Sequence, residues 1–340
     1  MKILITGGAG YIGSHTIIEI LQNTDWEVVS IDDYSNSTPG TFDRIKEITG
    51  KTIKNYPFDL KDLSATEVVF EENPDTVGII HFAAHKSVGD SVEEPLKYYD
   101  NNLNTLANVL KCQKKYKVPN FIFSSSCSVY GNVAILPVTE DSPQEKAESP
   151  YAYTKQIGEV MVEDFIKISK SLKAISLRYF NPVGAHVSGL NGELSNIKPN
   201  NLFPFITQTA IGKIESLTVY GDDYPTRDGS CIRDYIHVSD IAEAHVLALK
   251  KLIQNNDNLN YDVINLGSGN GVSVFEIISA FEKENGLKLN YTVGPRREGD
   301  VESIYSNSNK AKELLGWEPK CTVKEMVTSA WKWEQKIFEK

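Results

Sequence analysis

Short apolar runs alternate in the first half of the chain with longer stretches whose apolar positions recur at helical spacing. Ile3-Leu4-Ile5 predicts a buried strand, Ile12 to Gln22 a helix, and Trp26 to Ile31 the next strand. Further strands are predicted at Val77 to Phe82, Phe121 to Ser125 and Ala174 to Tyr179, with helices at Asp62 to Glu72 and Pro95 to Tyr116. The strand segments are apolar throughout rather than alternating, as in a parallel sheet covered on both faces. Strands alternating with helices predict the α/β class, a Rossmann-type doubly wound parallel sheet.

After about Asn181 the rhythm changes. Pro182, Gly184, Gly189, Gly192, Pro199 and Pro204 break the chain, and Asn181 to Asn201 is expected to be a long binding loop. A helix is predicted at Val238 to Lys251, a strand at Tyr261 to Leu266, a helix capped by Ser273, and a closing amphipathic helix within Cys321 to Phe338. No repeat or low-complexity linker separates the halves, so a smaller α/β unit is expected to interleave with the first.

Composition narrows the function classes. With 340 residues, 41% hydrophobic and 24% charged, the chain is an ordinary globular protein. Its net charge of −10 disfavours nucleic acid and anionic membrane surfaces as partners. No apolar run is long enough to span a bilayer. Cys112, Cys127, Cys231 and Cys321 show no metal-ligand spacing, and no metal is expected. Scattered cysteines and a hydrophobic run directly after Met1-Lys2 predict a cytoplasmic protein.

Thr6-Gly7-Gly8-Ala9-Gly10-Tyr11-Ile12-Gly13 follows a predicted strand and opens a predicted helix. Gly7 permits the tight turn, Gly10 lets the backbone approach a pyrophosphate, and Gly13 allows close helix–sheet packing. The pyrophosphate then lies at the positive end of the helix. Asp32 ends the next strand nineteen residues beyond Gly13, where a carboxylate binds ribose hydroxyls and repels a 2′-phosphate. The pattern predicts NAD binding. Residues 1–180 are assigned to the NAD-binding unit, with chain returning to it from the second half, and 181–340 mainly to the substrate.

Tyr151 and Lys155 lie four apart at the start of a helical stretch and share one face. Taken alone, that spacing also describes a surface pair. Here it follows the dinucleotide turn and a strand ending Ser124-Ser125-Ser126, which delivers hydroxyls to the sheet's carboxyl edge. A tyrosine base at neutral pH requires ~4 kcal/mol of differential stabilisation of its phenolate. A neighbouring ammonium, helped by a positive nicotinamide, is the expected source.

The segments TGGAGYIGSH (6–15), IHFAAHKSVGDS (80–91), YYDNN (98–102), FIFSSSCSVYG (121–131), SPYAYTK (149–155), LRYFNPVGAH (177–186) and RDYIHVSD (233–240) resemble the UDP-glucose 4-epimerases. These are extended members of the short-chain dehydrogenase/reductase superfamily, and the resemblance spans essentially the whole chain. It implies that Tyr151 takes the proton of a sugar 4-hydroxyl while hydride passes from C4 to NAD⁺. Ser126 would bond the same oxygen, and Lys155 would hold the nicotinamide ribose. A 4-ketose would turn over in the pocket and recover its hydride on the other face. Cofactor positions implied by the resemblance are Tyr11, Ile12, Asp32, Asn36, Asp59, Leu60, Phe82, Ala83, Lys86, Asn101, Lys155 and Phe180. Those for the UDP-sugar are Asn181, Asn201, Tyr220, Arg233, Arg297 and Asp300, besides Ser126 and Tyr151. The arginines suit phosphates, and Tyr220 offers a face for uracil. The resemblance also implies a homodimer built on the helices of Pro95 to Tyr116 and after Tyr151.

Three other readings share this fold. A 4,6-dehydratase would carry an acidic pair after Ser126, where this chain has Cys127-Ser128. Epimerisation of N-acetylated or pentose sugars turns on Ile304, a position implied to limit N-acetyl access, where isoleucine is intermediate. A non-catalytic NAD-binding regulator would commonly lack the tyrosine or the lysine. Of the lesser signals, His81 and His85 are not expected to bind metal. Gly267 to Gly271 reads as a strand-to-helix connection, and Asp222-Asp223 as a solvated turn.

Overall fold

The computed structural model describes residues 1–169, 171–194, 201–254, 259–297 and 300–339. The chain opens with β1 (Lys2–Thr6), α1 (Tyr11–Asn23), β2 (Glu27–Ile31), α2 (Gly40–Thr49), β3 (Lys54–Tyr56) and α3 (Leu63–Glu72). It continues through β4 (Thr76–His81), α4 (Val88–Glu93), α5 (Pro95–Lys115), β5 (Asn120–Ser126), a 3₁₀ turn at Cys127–Tyr130, α6 (Pro150–Lys167) and β6 (Lys173–Tyr179). Next come β7 (Asn181–Val183), α7 (Leu202–Ala210), β8 (Leu217–Tyr220), β9 (Ile232–His237), α8 (Val238–Gln254) and β10 (Tyr261–Leu266). The last elements are β11 (Gly271–Ser273), α9 (Val274–Asn285), β12 (Tyr291–Gly294), β13 (Ser303–Ile304), α10 (Asn309–Leu315) and α11 (Val323–Phe338).

Seven parallel strands form the main sheet in the order β10-β6-β5-β4-β1-β2-β3. From β1 the chain winds outward through β2 and β3, then crosses back to β4 and winds the other way. The reversal between β1 and β4 opens a crevice at the strands' carboxyl ends, where such sheets bind ligands. Thr6, Ile31, His81 and Ser126 end their strands there. One apolar layer packs Ile3, Ile5, Ile80 and Ile122 under α1 and α8; the other packs Leu4, Ile79, Phe121 and Phe123 under α3, α5 and α6. Both faces are covered, so the strands are apolar throughout.

Although β10 and α8 fall late in the sequence, β10 extends this sheet beside β6 and α8 packs on α1. The other late strands form a small sheet in which β9 pairs with β11, β13 and β7, and a two-stranded ribbon of β8 and β12. They surround a third core containing Phe203, Tyr235, Phe281 and Met326.

Several late elements differ from their sequence reading. Pro204 does not interrupt the chain; it occupies the first turn of α7, where a missing N–H costs no helical bond. Asn181 to Val183 is a short strand, and Ala185 bridges Gly192 beyond it. Positions 195–200 of the expected loop, Pro199 included, lie outside the described residues. The connection Gly267 to Gly271 leads into strand β11 before α9, and Asp234 anchors it by accepting from Ser268 N at 2.7 Å and Gly269 N at 3.2 Å. No helix among the described residues is long and apolar enough to cross a membrane.

Candidate active site

The glycine turn joins β1 to α1 with Gly7 in the left-handed region, at φ 72°. A Cβ on Gly13 would lie 2.2 Å from the Gly7 carbonyl oxygen, so only glycine lets the helix start this close to the strand. Gly10 caps α1 without a side-chain hydrogen bond, and the first turn holds no acidic residue. The helix therefore presents its opening N–H groups and positive end to the crevice. Asp32 is buried beside them and accepts from Ala9 N at 2.8 Å, Tyr34 N at 3.0 Å and Ser37 Oγ at 2.7 Å. Burial raises its pKa, and these bonds oppose the rise. Asn36 Oδ1 is buried with no hydrogen-bond partner. An uncapped helix start, a fixed carboxylate and an orphaned acceptor fit a dinucleotide's pyrophosphate and ribose.

The other expected cofactor residues are carried by the segments that follow β1, β3, β4 and β6 and by α5 and α6. Tyr11 donates to Gly184 O at 2.6 Å, and Ile12 packs against the core in the first turn of α1. Phe82 and Ala83 follow β4 and are tied to Thr6 through their N–H groups, at 3.0 and 3.3 Å. Asp59 and Leu60 follow β3; Asp59 is exposed and accepts from Lys61 N, whereas Leu60 is buried. Asn101 donates to Asn102 at 3.0 Å, and Phe180 is buried just beyond β6. Lys86 is turned toward Glu193, at 2.7 Å.

Tyr151 and Lys155 project from α6, which Ser149 caps by accepting from Ala152 N and Pro150 opens. The helix lies close on β5 because Gly158 leaves room for Phe123: a Cβ there would come 2.6 Å from the Phe123 ring. Lys155 is thus driven into the interior, 5% exposed, where Nζ donates to Ser124 O at 2.7 Å. Nζ lies 5.9 Å from the centre of the Tyr151 ring, and the Ser126 side chain is close enough to Tyr151 to lower its pKa. Tyr153, the neighbouring tyrosine, is half exposed and meets Tyr99 edge-on.

Burial, which the sequence does not show, weighs on both Tyr151 and Lys155. It dominates and holds the Tyr151 pKa well above the ordinary tyrosine value; nearby Tyr179 adds to this, and the Ser126 side chain opposes it. Burial also lowers the Lys155 pKa to about 8. Lys155 by itself does not make Tyr151 a base, because the apolar site penalises both charges.

The expected sugar-nucleotide residues fall into two groups. Tyr220, Arg233, Arg297 and Asp300 come together: Asp300 Oδ1 lies 2.7 Å from Arg297 Nη2 and 3.7 Å from Arg233 Nη2, and Arg297 stands over the Tyr220 ring at 5.6 Å. Asn181, on β7, follows Phe180 directly. Asn201 caps α7 from the rim and donates to Glu193 Oε1 at 3.1 Å. Ile304 on β13 pairs in register with Arg233 and packs with Tyr130 and Phe180.

Known proteins resemble this chain over nearly its full length. Residues 4–330 match the family described as GDP-mannose 4,6 dehydratase. The UDP-glucose 4-epimerase of Bacillus subtilis is 47% identical over 334 residues, 98% of this chain and 97% of the relative. The UDP-glucose 4-epimerase uge1 of Schizosaccharomyces pombe is 46% identical over 338 residues, 98% of this chain and 94% of its own. The crystal structure of UDP-glucose 4-epimerase from Bifidobacterium longum in complex with NAD⁺ and UDP superposes with a TM-score of 0.93 at 44% identity, covering 99% of this chain and 98% of that one.

The chain belongs to the UDP-glucose 4-epimerase family. Within this epimerase, Cys127 and Ser128 open the 3₁₀ turn after Ser126, so no carboxylate occupies the positions where a dehydratase is expected to carry its acidic pair. Sequence reading missed Asn102, the buried brace that bonds His85 N and O and Thr154 Oγ1 at 2.8 to 3.0 Å. It also missed Tyr179, whose hydroxyl hydrogen-bonds Ser124 Oγ beneath Lys155. Both partnerships join distant segments, and no local spacing announces them.

Proposed function

We propose that this protein interconverts UDP-glucose and UDP-galactose by transient oxidation at sugar C4, with NAD held as a retained group. The juxtaposition of Tyr151, Ser126 and Lys155 at the carboxyl edge of β5, beside the glycine turn, carries the proposal. When bound in its oxidised form, the dinucleotide would supply a positive charge and a hydride acceptor. Tyr151 takes the 4-hydroxyl proton, Ser126 holds that oxygen, and a 4-ketose results; return of the proton and hydride to the turned ketose gives the epimer. Lys155 holds the ribose and adds a second positive charge beside Tyr151. Because burial favours the neutral phenol, the base forms only once both charges lie against it.

Residues 1–180, with β10 and α8, form the dinucleotide-binding unit in this reading, and 181–340 mainly hold the UDP-sugar. Arg233 and Arg297 face the diphosphate, Tyr220 the uracil, and Asn181 and Asn201 the sugar. Exposed Leu96 on α5, with Tyr153 and Val160 on α6, supports a homodimer seated on these helices. The free cysteines accord with a cytoplasmic enzyme of galactose metabolism. The reading is tested by incubating purified protein with UDP-galactose and no added dinucleotide and following the sugar by NMR. UDP-glucose is the expected product; absence of any epimer would overturn the assignment.

A further inference from the structure

Behind the catalytic face of α6 lies a charged group that the reaction itself does not use. Glu159 stands one helical turn beyond Lys155 and is 4% exposed. Its carboxylate accepts from Ser125 Oγ at 2.6 Å, Arg178 Nε at 2.8 Å, Arg178 Nη2 at 2.6 Å and Gln144 Nε2 at 2.9 Å. Arg178, on β6, is equally buried; its Nη1 donates to the Tyr130 hydroxyl at 3.0 Å, which donates to Asn265 Oδ1 at 2.6 Å.

These bonds bracket Ser126 on both sides. Ser125 precedes it on β5, and Tyr130 closes the 3₁₀ turn that follows it. The Ser124 carbonyl that receives Lys155 lies on the same strand end. A buried ion pair is costly to desolvate, and well-packed apolar side chains often serve stability as well or better. Its presence against the lysine therefore calls for a role beyond stability.

Around the Lys155 ammonium stand Tyr151 and Glu159 on α6, His81 on β4, and Tyr179 on β6, with Arg178 behind Glu159. His81 is buried and pushed down to about 3, so it is neutral and contributes no charge. Tyr151 and Tyr179 are both held neutral by burial. Among the described residues, Glu159 is the carboxylate whose charge supports the Lys155 ammonium against burial.

We propose that Glu159 is a positioning residue of the epimerisation site: its carboxylate clamps the strand end carrying Ser126 and supplies the negative charge that the buried Lys155 ammonium otherwise lacks. The proposal rests on the epimerase reading given above. It acts through Lys155 and Ser126 rather than on the sugar.

The test compares wild type with Glu159→Gln, Glu159→Asp and the charge-free pair Glu159→Gln/Arg178→Gln, which keeps the test open if Gln alone strands Arg178 and unfolds. The ¹⁵N shift of Lys155 Nζ, assigned with Lys155→Met, is followed through pH, alongside kcat and KM for UDP-galactose. Lys155 is expected to lose its proton at lower pH in Glu159→Gln and in the pair. The kcat loss is expected to be at least ~10-fold greater at about pH 8.5 than at about pH 6.5, with KM within about two-fold, and Asp is expected to restore much of the activity. An unchanged Lys155 titration, or a kcat loss uniform across pH, would overturn the proposal. If wild type turned over no UDP-galactose, the epimerase reading would fail separately, and the Nζ titration would still decide what Glu159 does to Lys155.

Discussion

Lys155 Nζ donates to the backbone carbonyl of Ser124 at 2.7 Å, two residues before Ser126 on the same strand. The bond ties the Tyr151 and Lys155 face of α6 to the end of β5, and Gly158 permits the approach that makes it. It also leaves an ammonium inside the protein, with two consequences of opposite sign.

For stability, the folded-state pKa of Lys155, about 8, lies below its unfolded value of 10.5. The folded state gives up this proton first, so the protonated lysine destabilises the fold, and the penalty is relieved as pH rises from about 8 to 10.5. Lys155→Met should therefore be more stable than wild type near neutrality by up to ~3 kcal/mol, with the difference shrinking as pH rises through that window. Denaturation of the dinucleotide-free proteins at several pH values measures it. Activity should run the other way and fall in wild type as pH rises past about 8.

Gly13→Ala should cost the protein its cofactor. The added Cβ would meet the Gly7 carbonyl oxygen at 2.2 Å and force the start of α1 away from the turn. Bound dinucleotide, read from the absorbance of purified protein, should fall at least ~10-fold, and stability should drop by ~1–3 kcal/mol. Gly89→Ala is the control: its Cβ would enter open space, and both quantities should stay unchanged.

Asp32→Asn tests the choice of dinucleotide. The carboxylate accepts from three donors, one of them Ala9 N in the glycine turn. An amide removes the charge that repels a 2′-phosphate and presents a donor to one of those partners. NAD affinity should fall ~10-fold or more while the preference over NADP narrows, as titration with each dinucleotide would reveal. An unchanged preference would remove Asp32 from the selectivity argument.

What the sequence made legible follows from locality. The turn from Thr6 to Gly13, the acid at Asp32 and the Tyr151/Lys155 pair are short-range patterns beside strands apolar enough to recognise alone. Late strands such as β8 (Leu217–Tyr220) and β12 (Tyr291–Gly294) are short and partly exposed, so no apolar run marks them. Pro204 looked like a breaker because its place in the first turn of α7 depends on where the helix begins. The penalty that the Tyr151 phenolate must overcome was not legible for a related reason. Spacing showed the lysine, whereas the stronger influence is burial, which only the folded chain creates. Glu159 was visible one turn after Lys155, but Ser125, Gln144 and Arg178 reach it from three other places in the chain.

The central claim is that hydrogen leaves sugar C4 as hydride and returns to the same carbon through a retained cofactor. It is tested most directly by running UDP-galactose to equilibrium in D₂O without added dinucleotide and examining C4 of the UDP-glucose formed. Retention of the original hydrogen at C4 is the result this account predicts. Deuterium incorporated at C4 from solvent would contradict it, because the hydrogen would then have left as a proton.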